Sequence, residues 1–173
     1  VGGLVIEAWG TQTNLWFYYT SERPPLWTVP AWPIATLSID RITRLLSFLT
    51  AKISTRLEAE PGRREFMQRA WKMAYVAIFG AFLVIMIAFV MPTFGKTATI
   101  LAFLLCVVLI LTPPDRRMSL LVFAAGAALG YFLELWGTTR ECWTYYTYQT
   151  PPFFAVLAHG MAAVAFWRSG IML

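Results

Sequence analysis

Four stretches of this chain run uncharged for about the length of a bilayer crossing, and they limit what it can fold into more than any other feature. They extend from Met73 to the boundary at Lys96, from Thr97 to Pro114, from Met118 to Leu133 and from Pro151 to Trp167. A tilted transmembrane helix needs ~17–25 residues. Backbone polar groups inside hydrocarbon must be satisfied within the protein, which a helix does by itself. Composition agrees, since 13% of the residues are charged against about 25% in a soluble domain. The chain reads as an all-α, polytopic transmembrane bundle.

The remaining segments set the number of crossings. Val1 to Ala8 is apolar and reads as the tail of a span; the sequence begins inside a helix, and further residues are expected upstream of Val1. A second helix is predicted from Trp27 through Val29, Ala31, Ile34 and Leu37. It reaches Asp40, Arg41 and Arg44 after ~20–26 Å, near the far interface. Leu45 to Leu57 mixes Leu45, Leu46, Phe48, Leu49 and Ile53 with Ser, Thr and Lys, as a helix leaving the membrane or lying on its surface does. Glu60-Pro61-Gly62 is expected to break it, with Arg63-Arg64-Glu65 opening the next helix. The expectation is one integral membrane domain over 1–173, with five to six spans and a cytoplasmic or interfacial segment at about 45–68.

Within this frame one pattern occurs twice. Residues 7–25, EAWGTQTNLWFYYTSERPP, align without a gap to residues 134–152, ELWGTTRECWTYYTYQTPP, with ten of nineteen positions identical at an offset of 127. Two of the identical pairs are tryptophans, so chance is a poor explanation, and an internal repeat points to paired sites or to one site with two related halves. Four crossings between the copies (about 27–46, 70–92, 97–113 and 118–134) return the chain to the same side. The repeat is then parallel, with a pseudo-two-fold axis along the membrane normal. On this topology Arg41, Arg44, Lys52, Arg56, Arg63, Arg64, Arg69, Lys72, Arg116, Arg117 and Arg168 share one side, against Arg23, Lys96 and Arg140 on the other. The positive-inside rule puts both copies at the periplasmic or extracellular face of a cell membrane.

The net charge of +5 suits a cytoplasmic belt facing anionic lipid and calls for no nucleic acid. Cys106 lies mid-span and Cys142 in an outer loop, so both read as free thiols. No Cys-x-x-Cys, Gly-x-Gly-x-x-Gly, Walker loop or His-Glu-x-x-His occurs, and neither a metal nor a cofactor is called for. His159 is the single histidine, so a haem with two histidine ligands would need another chain.

The repeated motif carries the candidate chemistry. Glu7 and Glu134 close apolar helices at the lipid boundary, where a carboxylate is costly unless paired, hydrogen-bonded or protonated. Each is a candidate general acid. The structural alternative is that Thr11 and Thr13, or Thr138 and Thr139, donate to the carboxylates and pin the loops. Trp9, Trp16, Tyr18 and Tyr19, with Trp136, Trp143, Tyr145 and Tyr146, could form an interfacial belt. Their repeated spacing points instead to rings held in place for an apolar or cationic ligand. Gly10 and Gly137 read as helix caps, and Pro24-Pro25 and Pro151-Pro152 as loop stops that launch the next helix. His159 falls opposite Trp32 in the alignment and is a candidate ligand or proton carrier. Asp40 with Arg44 reads as a structural i, i+4 pair, and Gly126, Ala127 and Gly130 as a close-packing face.

Glu7, Gly10, Thr13 and Tyr18, with Glu134, Gly137 and Tyr145 in the second copy, followed by proline-led helices, resemble the polytopic carotenoid-biosynthesis membrane family of bacterioruberin-type hydratases and small lycopene cyclases. Arg140 stands where the second copy would repeat the Thr. The resemblance implies an apolar isoprenoid or carotenoid ligand and acid-catalysed hydration or cyclisation, with a carboxylic acid protonating a polyene and ring faces stabilising the cation. Two other classes stand beside it: a non-catalytic subunit or assembly factor of a larger, pigment-containing membrane complex, and a transporter of parallel repeats, which the scarcity of midplane polar residues disfavours. The bilayer, an apolar lipid or pigment, and other membrane subunits are the expected partners.

Overall fold

The computed structural model describes residues 1–57 and 62–172. Its helices are α1 (Gly2–Gln12), α2 (Thr28–Leu57), α3 (Arg63–Val90), α4 (Thr97–Leu111), α5 (Arg116–Thr139) and α6 (Phe153–Met172), with a 3-10 turn at Met91–Thr93. The described residues are thus all-helical apart from turns and two three-residue strands, β1 (Trp16–Tyr18) and β2 (Trp143–Tyr145). Three segments, Arg63–Thr93, Arg116–Thr139 and Phe153–Ile171, are long and apolar enough to cross a membrane, and Thr97–Leu111 is a shorter apolar helix.

α5 and α6 form the tightest contact. A Cβ added to Gly126 would lie 2.7 Å from the carbonyl oxygen of His159, and one on Gly160 would lie 2.8 Å from that of Phe123. Small residues on both faces let the backbones approach this closely, as is usual for helix pairs in membranes. Beside this pair, Tyr75, Phe79 and Phe82 of α3 pack on Phe123 of α5 and on Met161 and Val164 of α6. Lipid tails are as apolar as these rings, so the cluster is held by dispersion and close fit rather than by escape from water.

Two expectations about boundaries are corrected. The second helix does not stop near Arg44. It continues unbroken to Leu57, because no breaker lies between them, and Thr50 of its later part is held by Arg117 Nη2 at 2.8 Å. Glu60 and Pro61 of the expected break lie outside the described residues; Gly62 has φ +83 at the start of α3. α1 and α5 run past Glu7 and Glu134 to Gln12 and Thr139, so the carboxylates sit inside helices and not at their ends.

β1 and β2 pair antiparallel, and through them the two motif copies meet. The register sets Trp16 opposite Tyr145, Phe17 opposite Thr144 and Tyr18 opposite Trp143. Tyr146 N donates to Leu15 O, and Tyr19 N to Cys142 O, both at 3.1 Å. The loops carry the same backbone features at the 127-residue offset. Asn14 and Glu141 have φ of 61° and 56°, Ser21 and Tyr148 have 60° and 55°, and the Arg23–Pro24 and Thr150–Pro151 bonds are cis.

Candidate functional site

Each copy folds its loop back over its own carboxylate. Glu7 Oε2 accepts from Tyr18 OH at 2.7 Å and Trp16 Nε1 at 3.2 Å, while Oε1 accepts from Trp32 Nε1 at 3.1 Å. In the second copy Glu134 Oε2 accepts from Trp143 Nε1, and Oε1 faces Tyr145 OH and His159 Nε2, all at 2.9 Å. The partners lie 9, 11 and 25 residues after the glutamate in both cases. Glu7 is 8% exposed and Glu134 2%, so a full set of partners is what makes burial of the two carboxyl groups tolerable.

The glycines show how the sequence builds this cradle. Residues at i−4, i and i+3 share one face of a helix. Gly10 and Gly137 follow the glutamates by three, and Trp16 and Trp143 lie flat on them, so that an added Cβ would come within 1.8 Å and 2.1 Å of the indole rings. Gly3 and Gly130 precede the glutamates by four and support Trp32 and His159 in the same manner, at 2.1 Å and 2.5 Å. Gly10 and Gly137 are therefore floors for the indoles inside helices. The capping role is corrected, since neither has a positive φ.

Rings from one copy also pack on rings from the other. Trp16 meets Tyr145 at 5.8 Å, Tyr18 meets Trp143 at 6.1 Å, and Trp32 stacks on His159 at 6.0 Å with 27° between planes. Burial is the main cause that pushes the phenols of Tyr18 and Tyr145 well above the ordinary tyrosine range, reinforced by the neighbouring carboxylates Glu7 and Glu134 respectively. Both phenols keep their protons and stay hydrogen-bond donors.

The threonines do not reach the carboxylates. Thr11 Oγ1 donates to Glu7 O and Thr13 Oγ1 to Trp9 O, each at 2.7 Å, and Thr138 Oγ1 donates to Glu134 O. A helical hydroxyl finds the carbonyl four residues back before it finds a side chain on the turn. Trp9 Nε1 instead ties α1 to α4 through Thr99 Oγ1 at 2.9 Å, whereas its counterpart Trp136 is 53% exposed. Tyr146 donates to Phe89 O at 2.8 Å, whereas Tyr19 is 74% exposed. These two pairs diverge because the copies have different neighbours: α4 beside Trp9, and α3 beside Tyr146. Trp32, opposite His159 in the alignment, stands the same 25 residues after its glutamate, which is the signal in the sequence for its part in the site.

A cavity of 1380 Å³ opens beside the pair, bordered by Glu7, Glu134, Trp9, Trp16, Tyr18, Trp32, Trp143, Tyr145 and His159. It follows α2 past Ala35 and Ile39 to Ser47, and α6 past Ala158, Ala162 and Ala165. Trp32 to Ser47 is ~22 Å of helix. Thr11, Thr13, Tyr19, Trp136, Thr138 and Tyr146 do not border it. Among the described residues no group of three or more His, Cys, Asp and Glu could hold a metal ion, and Cys106 and Cys142 are free thiols.

Fold and site together define a class: a helical membrane protein in which two hydrogen-bonded glutamates overlook an elongated, largely apolar cavity. Comparison with family models, curated proteins and solved structures finds no match to this chain.

Proposed function

We propose that this protein binds an elongated apolar ligand of the isoprenoid or carotenoid type, with its reactive or polar end held at Glu7 and Glu134. The observation that carries this reading is the cavity. At 1380 Å³ it exceeds the ~300–1,000 Å³ of sites for drug-sized ligands, its long walls are alanine-rich helices, and both carboxyl groups stand at one end. Acid chemistry, if the ligand is a polyene, falls to Glu134. It alone has a partner, His159, able to carry and return a proton; Trp32 and Trp16 beside Glu7 can only donate. Protonation of a double bond by Glu134 would leave a cation facing Glu7 and the indole rings; after ring closure, or after addition of water, the proton released would return to the Glu134 carboxylate beside His159.

The finer architecture belongs to the same proposal: a parallel duplication with five to six spans, a pseudo-two-fold axis along the membrane normal, and both loops on the periplasmic or extracellular side. The hydrogen bonds, glycine floors and loop backbone that recur at the 127-residue offset support it. Impermeant thiol reagents should label Cys142 from outside intact cells; labelling only after lysis would reject the orientation. For the ligand, mass spectrometry of lipids co-purified with the full chain should find an isoprenoid that Glu134→Gln and Glu7→Gln alter in amount or chemical state. An unchanged extract from both variants would reject the reading.

A subunit role in a larger membrane complex is the second reading. It rests on the exposed ring-bearing face of α5, where Tyr131, Phe132 and Trp136 are 51%, 64% and 53% exposed. Stoichiometric co-purification of another membrane chain, lost on Trp136→Ala, is the result it requires.

A further inference from the structure

At the other end of the bundle, α2, α3 and α5 enclose a second, smaller pocket of 400 Å³ that the paired-glutamate site does not use. Lys72 of α3 and Arg116 and Arg117 of α5 border it, with Ser54 of α2 and Gln68 and Trp71 of α3. Among the described residues three cations border the pocket with one carboxylate, Asp115, and an oxygen of that carboxylate is already occupied in accepting from Met118 N at 3.1 Å. Arg117 is fixed rather than free to swing: its Nη2 donates to Thr50 Oγ1 at 2.8 Å and its guanidinium lies 5.9 Å from the centre of the Trp71 ring. Its Nε is buried and has no acceptor among the described residues. The described walls of the pocket therefore carry a surplus of positive charge, which a bound anion would offset. The positive end of the α5 dipole adds to the field.

We propose that this pocket binds a phosphate-bearing anion. A guanidinium held in one orientation beside an exposed ammonium matches phosphate oxygens, which accept from both. Arg117 precedes Glu134 by 17 residues of α5, or ~26 Å, close to the ~30 Å of the hydrocarbon layer. The pocket therefore sits at the depth where phospholipid headgroups lie, and basic pockets between membrane helices are suited to anionic headgroups. Phosphate supplied by a headgroup and phosphate free in solution share the chemistry that the pocket reads.

The test uses the full chain, stripped of lipid in a non-ionic detergent. Native mass spectrometry would follow retention of phosphatidylglycerol against phosphatidylcholine, and thermal unfolding would follow the response to inorganic phosphate. Arg117→Gln removes the fixed donor but also frees Thr50 and Trp71, so the exposed pair Lys72→Gln with Arg116→Gln is the second variant. At ~1 kcal/mol per basic residue, each charge removed should weaken phosphatidylglycerol retention about five-fold. Preferential retention of phosphatidylglycerol that falls in the double variant assigns the pocket to a headgroup. Stabilisation by inorganic phosphate, lost in the double variant and without lipid preference, assigns it to a soluble phosphate. Equal retention of both lipids together with no response to phosphate, or responses that the double variant leaves unchanged, would overturn the proposal.

Discussion

Glutamine in place of the two glutamates should have unequal effects, and the inequality follows from proton counting. A glutamine offers one acceptor and one donating NH₂ where the carboxylate offers two acceptors. At Glu134, the oxygen can take the place of Oε2 opposite Trp143, while the NH₂ faces Tyr145 OH and His159 Nε2. Both of these can turn acceptor, the tyrosine by rotating its hydroxyl and the histidine by moving its proton to Nδ1. At Glu7 no such arrangement exists. Trp16 and Trp32 donate to different oxygens and an indole N–H cannot accept, so one of them must face the NH₂. That leaves a buried or part-buried donor without a partner, at a cost of ~1–3 kcal/mol beyond whatever the two substitutions share. Thermal unfolding in detergent should therefore place Glu7→Gln below Glu134→Gln by about 2–4 °C for each kcal/mol. Adding Trp32→His to Glu7→Gln should recover part of the difference. Equal stability of the two single variants, or Glu134→Gln as the weaker, would refute the hydrogen-bond assignment.

The glycine floors predict that Gly10→Ala and Gly137→Ala each lose ~1–3 kcal/mol or more in thermal unfolding, since the new Cβ would enter the Trp16 or Trp143 ring. Gly80→Ala in α3, with nothing within 4 Å of the added atom, should gain ~0.5–1 kcal/mol. The strand register predicts that Phe17→Cys and Thr144→Cys, in a Cys142→Ser background, close a disulfide under mild oxidation and lose reactivity toward maleimide; free reactivity of both would place the strands elsewhere. The raised phenols of Tyr18 and Tyr145 predict a pH dependence at the alkaline end. The folded state holds these protons more tightly than the unfolded one, so their contribution to stability is complete below the ordinary tyrosine value of ~10 and falls as pH rises above it. Spectrophotometric titration should find both silent until the protein unfolds.

The helices were legible because uncharged length alone decides them in hydrocarbon, and Arg63 and Thr97 were visible as helix starts. The carboxylates, Trp16, Tyr18, Trp143, Tyr145 and His159 were legible as a set because the pattern occurs twice. The bonds among them and the third donor to Glu7 were not, because the reach of Trp32 depends on how the loop brings α2 back along α1, and no local pattern specifies that path. Thr11 and Thr138 misled for a related reason: adjacency suggested a bond to the carboxylate, but the nearer carbonyl of the same helix takes the hydroxyl. The continuation of α2 past Arg44 was obscured by its change from apolar to mixed composition, which a helix tolerates as long as no residue breaks its backbone ladder.

The stack of Trp32 on His159 places the one difference among the three partners of each carboxyl group where the copies touch. Two separate, identical subunits docking by this same surface would have to oppose tryptophan to tryptophan or histidine to histidine. Because both copies belong to a single polypeptide, each position could change independently of the other, leaving one carboxyl group among fixed donors and the other beside a movable proton.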